Sequence, residues 1–185
     1  DPQATFRQFV TQTLPELLPA DGAYDPKVED KAESFGIRMR RETEEMNFEK
    51  CIVISKRESS ISIKAVMDRK SAGAKPAVLG LGLELFYGSA DDVSVRVGES
   101  AGPAGSEGEA TGRSLEIADR WSGTRLTVAA DRDIRFWMAP SVTMSKSESA
   151  IEKIFQGISL MLLADPSGSS ARQELNLTVD VSQQV

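Results

Sequence analysis

"SKSESAIEKIFQGISLMLLADPSG", residues 145–168, predicts a helix over about 146–164. Ser145 and Glu148 have the spacing of a capping box, in which each side chain satisfies an orphan backbone N–H of the first turn. Ile151, Ile154, Phe155, Ile158 and Leu162 recur at helical spacing and form an apolar stripe. Leu160, Met161 and Leu163 widen that stripe, so the second half of the helix is expected to be buried nearly all round. Asp165-Pro166 and Gly168 end it.

A second helix is expected at the opposite end. In "DPQATFRQFVTQTLPELLPADG", residues 1–22, Asp1 caps and Pro2 takes the first helical position. Phe6, Phe9, Val10, Leu14 and Leu17 follow at helical spacing, and Pro19 stops the run.

Between the two the period changes to two residues, the signature of strands with one buried face. "DGAYDPKVEDKAES", 21–34, is polar and turn-rich. In "SFGIRMRRE", 34–42, Phe35, Ile37 and Met39 alternate with Gly36, Arg38 and Arg40. "NFEKCIVISKRESSISIKAVMD", 47–68, is a hairpin turning at "KRES", with Ile61, Ile63, Ala65 and Met67 on one face. Leu79, Leu81, Leu83 and Leu85 alternate next, then Val93, Val95 and Val97. "ESAGPAGSEGEATG", 99–112, has no apolar period and is expected to be a flexible loop. Leu115 and Ile117 lead to a turn at Ser122-Gly123, followed by Leu126 and Val128. Another turn is expected near Asp131. "QELNLTVDV", 173–181, is a last strand. The expected fold is one α+β domain spanning 1–185. It has a mostly antiparallel, curved sheet of about seven to nine strands, with both helices packed on it.

Composition narrows the chemistry. The 185 residues carry 22 basic and 28 acidic side chains, a net charge of −6, which offers nucleic acid no attraction. There is no histidine, so His-dependent triads and His-containing zinc sites are excluded. The single cysteine, Cys51, permits no intrachain disulfide and is expected to be a buried, inert thiol. No cofactor and no metal site are expected. No apolar run is long enough for a membrane-spanning helix. The start "DPQATF", without methionine, fits either a removed leader or an excised domain, and on the first of these an extracytoplasmic location, periplasmic or secreted, is expected.

The candidate site lies in "DRDIRFWMAP", residues 131–140. On a strand, Ile134, Phe136 and Met138 point one way, and Arg135 and Trp137 the other. If the second face is wet, Arg135 and Trp137 form a cation–aromatic contact surface, with Arg120 and Arg125 on the preceding hairpin beside it. If that face is covered, Trp137 is packing. Other features read more plainly. Glu44-Glu45, Asp91-Asp92 and the Asp131/Asp133 pair suit solvated turns. Gly80 and Gly82 mark close backbone approach or a bend in a strand. Ser71 and Lys75 lack the spacing of Ser/Lys enzymes.

The leading expectation is therefore a non-catalytic binding or protein-interaction module acting through Arg135, Trp137, Arg120 and Arg125. One alternative is a carrier of a small apolar or lipid ligand in a pocket between sheet and helix, lined by Met67, Met138, Met144 and Met161. Another is a hydrolase using carboxylates alone, with two acids sharing a cleft.

Overall fold

The structure is a computed structural model that describes residues 24–70, 78–146, 151–164 and 170–183. Eleven strands form one antiparallel sheet, and there is no helix among the described residues. In chain order they are β1 (Asp25–Asp30), β2 (Ser34–Glu42), β3 (Met46–Ser55), β4 (Ser60–Arg69), β5 (Gly80–Phe86) and β6 (Val93–Val97). They continue as β7 (Ser100–Pro103), β8 (Gly108–Asp119), β9 (Thr124–Lys146), β10 (Ile151–Leu163) and β11 (Arg172–Gln183). The main path runs β1-β2-β3-β4-β11-β9-β8-β6-β7, and β10 pairs with β9 and with β5.

The α+β expectation is thus corrected to an all-β architecture. The stretch expected to be a helix at 146–164 supplies strand β10, paired with β9 on one side and β5 on the other. Its physical reason lies in residues 158–163. Ile158, Leu160 and Leu162 enter the main core, while Ser159, Met161 and Leu163 are buried on the opposite face. A strand buried on both faces reads as an unbroken apolar run, and such a run satisfies a helical stripe equally well. Glu148 of the supposed capping box, the stop at 165–168, the N-terminal helix and the Ser71/Lys75 segment all lie outside the described residues.

Three smaller corrections follow from the same ladders. The polar stretch 21–34 carries β1, an exposed edge strand paired along β2. The 99–112 segment expected to be an open loop holds β7 and the first part of β8, whose small residues sit in ladders with β6 and β9. No turn interrupts the chain at Asp131, because β9 continues through it. Instead the register with β8 jumps: Gly112 faces Ile134, yet Ser114 faces Ala129. Residues 130–133 therefore bulge opposite Arg113.

That bulge organises the fold. β8 lies along one edge of both halves of β9. On the other edge, β11 pairs with Thr124–Ala130 and β10 pairs with Arg135–Lys146. β9 therefore changes partner on that edge at the bulge, from β11 to β10. Bulges are a recurrent device for passing a strand between packed layers. Ile63, Ala65 and Met67 of β4, Leu175 and Leu177 of β11 and Val93 and Val95 of β6 share one hydrophobic core with Ile158, Leu160 and Leu162 of β10. Leu81, Leu83 and Leu85 of β5 pack against that core. Alternation along β4, β5, β6, β8 and β11 was legible in the sequence and is what the structure shows.

Two glycines are fixed by close approach. A Cβ on Gly80 would lie 2.9 Å from Met161 Sδ. Gly157, at φ +156°, would place a Cβ 1.9 Å from the Leu85 carbonyl oxygen. Gly157 sits at the β10 bulge, where the register shifts after Phe155.

Candidate functional site

The polar face of the sheet is built by the same pleat that fills the core. With Ile63, Ala65 and Met67 turned inward, Lys64 and Asp68 of β4 face out. The ladders bring Asn47, Glu49 and Cys51 of β3, Arg38 and Arg40 of β2, and Arg172, Glu174 and Asn176 of β11 alongside them. Two adjoining open hollows of about 590 Å³ and 730 Å³ share Glu49 and Lys64. The first reaches Arg40, Asp68 and Arg172, and the second reaches Arg38, Asp131 and Asn176.

Charges alternate across this face. Arg40 Nε donates to Glu49 Oε2 at 2.6 Å. Arg172 Nη1 holds both Asp68 oxygens at 2.9 Å and its Nη2 lies 3.5 Å from Glu174. Lys64 Nζ reaches Glu174 at 2.7 Å. Asn176 Nδ2 donates to Glu174 at 3.0 Å and to Asp131 at 2.9 Å, which links β11 to the bulge of β9. The Lys64 hydrogen bond, helped by Asn176, holds the Glu174 carboxyl below its usual range. The Asn176 hydrogen bond, and behind it Arg132, does the same for Asp131.

Such carboxylates stay ionised at neutral pH. General acid catalysis asks for the opposite, a carboxyl raised toward the working pH. Among the described residues no group of His, Cys, Asp and Glu is placed to hold a metal ion. Asp133 pairs with Arg113 at 3.2 Å and Asp92 with Arg120 at 3.5 Å, while Glu44 and Glu45 are exposed at the turn between β2 and β3. Cys51, expected to be buried, is only half-buried and lines the larger hollow.

The expected contact surface around Trp137 is not assembled. Trp137 is 4% exposed and packs with Ala139, Met161 and Leu163, on the face of β9 and β10 away from the main core. The alternation of Arg135 and Trp137 against Ile134, Phe136 and Met138 holds, but the second face is covered at Trp137. Arg135 is half-buried, 3.5 Å from Glu109 on β8. Arg120 stands at the far end of β8, and Arg125 lies 3.6 Å from Glu116.

The pocket between sheet and helix also falls away, since β10 occupies that place as a strand. Of its four methionines, Met67 is core, Met161 packs with Trp137, Met138 borders the core and Met144 is exposed. An apolar hollow of about 180 Å³ near Val97, Phe136 and Met138 is smaller than the usual range for small-molecule sites. No helix among the described residues is long and apolar enough to cross a membrane.

Sequence reasoning passed over the other tryptophan. Trp121 is 82% exposed in the turn between β8 and β9. Its signal was its setting: an aromatic inside "DRWSG", among residues that form turns and therefore face water.

Comparison with known proteins accounts for this architecture. A solved 4-alpha-glucanotransferase from Thermococcus litoralis is similar at 19% identity and TM-score 0.54, over 86% of this chain. This chain spans only 23% of that protein. The protein HI1317 is similar at TM-score 0.62 and 9% identity, over 90% of this chain and 69% of its own. A putative aldose 1-epimerase from Escherichia coli K12 is similar at TM-score 0.54 and 7% identity, over 88% and 69%. At these identities the likeness is one of fold. Among curated protein sequences none matches. Residues 1–177, nearly the whole length, match the family described as "Alpha-amylase/4-alpha-glucanotransferase, C-terminal", and the chain belongs to that family.

Proposed function

We propose that this chain is a non-catalytic accessory domain of an α-glucan-processing enzyme, and that it binds the glucan rather than cleaving it. The observation that carries the reading is the family match over residues 1–177 to a C-terminal domain of amylases and glucanotransferases. The electrostatics of the polar face support the non-catalytic part. Glu174 and Asp131 are held ionised by their cation and amide partners, which suits hydrogen bonding to sugar hydroxyls and not proton donation to a leaving group.

The test is to incubate the chain with maltoheptaose and with soluble amylose. Reducing ends and chain-length distribution report turnover, and isothermal calorimetry reports binding. Saturable heat with no new reducing ends and no disproportionation products is the expected result. Turnover by the chain that disappears in Glu174→Gln would overturn the reading, as would the absence of any binding heat at millimolar glucan.

A further inference from the structure

We propose that the turn between β8 and β9 is an α-glucan contact in which the indole of Trp121 stacks on a pyranose ring. This inference rests on the accessory-domain reading above and names the residue that meets the sugar.

An 82% exposed tryptophan is a costly thing to leave in water, because the indole is the largest apolar surface a side chain offers. Here the turn is built to hold it out. Asp119, only 7% exposed, accepts a hydrogen bond from the Trp121 backbone N–H at 3.0 Å and another from Ser122 Oγ at 2.6 Å. Ser122 Oγ is also 2.7 Å from Thr124 Oγ1, and Gly123 closes the turn at φ +66°. From the turn that precedes β6, Asp92 O accepts from the Arg120 backbone N–H at 2.9 Å, and Asp91 O accepts from Arg120 Nη2 at 2.8 Å. The backbone on both sides of Trp121 is therefore fixed before any ligand arrives, which lowers the ordering cost of binding.

The surroundings select the ligand class. Tryptophan and arginine are enriched at protein–protein interfaces, but aspartate and serine are depleted there. The turn that carries Trp121 also carries Arg120 and Ser122, and Arg120 is bonded to Asp91 and Asp92. A pyranose matches that mixture: its C–H face is apolar and slightly positive, suiting the negative face of the indole, and its rim of hydroxyls needs polar partners.

The chain has two tryptophans, and Trp137 is buried, so acrylamide quenching of fluorescence reads Trp121 against an internal baseline. Maltoheptaose is expected to protect the quenchable component in the parent chain. By calorimetry, Trp121→Ala is expected to bind maltoheptaose about tenfold more weakly or worse, with an unchanged melting temperature, while Trp121→Phe stays within a few-fold of the parent. The proposal is overturned if Trp121→Ala binds maltoheptaose as tightly as the parent, or if the parent indole remains fully quenchable at saturating maltoheptaose. Either result leaves the accessory-domain reading standing when binding heat persists without turnover. Glucan turnover by the chain overturns that reading and leaves the stacking measurement to stand or fall by itself.

Discussion

Replacing Trp137 by alanine asks whether the second face of β9 is packing or surface. The indole is 4% exposed, against Ala139, Met161 and Leu163. A tryptophan side chain buries about 200 Å². At roughly 25 cal/mol per Å² this is worth about 5 kcal/mol, an upper figure because the unfolded chain already shields part of it. Core Trp→Ala replacements fall in a similar range of about 3–5 kcal/mol. In a chain of this length each kcal/mol moves the melting temperature by about 2–4 °C, so a fall of roughly 6–20 °C is expected. Thermal melts followed by far-UV circular dichroism measure it. Trp121→Ala is the matched control, since the same side chain removed from a solvent-facing turn is expected to change stability by no more than about 0.5 kcal/mol. A Trp137→Ala chain melting within about 2 °C of the parent would refute the burial argument and with it the placement of β10 against β9.

Two further outcomes follow from the strand pairing and from one buried phenol. Gly157→Ala is expected to destabilise by about 3 kcal/mol or more, because the new Cβ meets the Leu85 carbonyl at 1.9 Å and a backbone atom cannot rotate aside. Gly102→Ala, with nothing within 4 Å, is expected to be neutral in the same melt, and equal melting temperatures for the two variants would contradict the β5–β10 ladder. Burial, reinforced by the negative charge of Asp119, pushes the Tyr87 hydroxyl from 10.0 up to about 12. The fold thus favours the neutral phenol, so this contribution is complete below pH 10 and is lost as pH rises through about 12. Melting temperatures of the parent are expected to fall across that interval more steeply than those of Tyr87→Phe, and parallel curves would show that Tyr87 is not the group responsible.

Much of the sheet was legible because a strand with one wet face writes its fold into a period of two. The isoleucines of β4, the leucines of β5 and the valines of β6 all did so. The same rule hid β10, whose residues 158–163 are buried on both faces. It hid β7 as well, because Ser100 to Pro103 carry too little apolar surface to show any period. Trp121 was missed for a different reason. Alternation says nothing about turns, and the exposure of an aromatic there depends on what the turn packs against.

Composition and local pattern by themselves determined a chain without histidine and without an intrachain disulfide, with hairpin-connected antiparallel strands. Only the tertiary structure decided that the apolar run at 158–163 is a strand, that β9 bulges at 130–133 and changes partner there, and that one tryptophan is packed while the other faces water. Each of those outcomes depends on what covers a face. Covering is supplied by residues distant in sequence: Met67 of β4 and Leu175 of β11 share the core that Ile158, Leu160 and Leu162 of β10 enter. Local spacing fixes where a side chain points, and the partner across the gap fixes whether it meets protein or solvent.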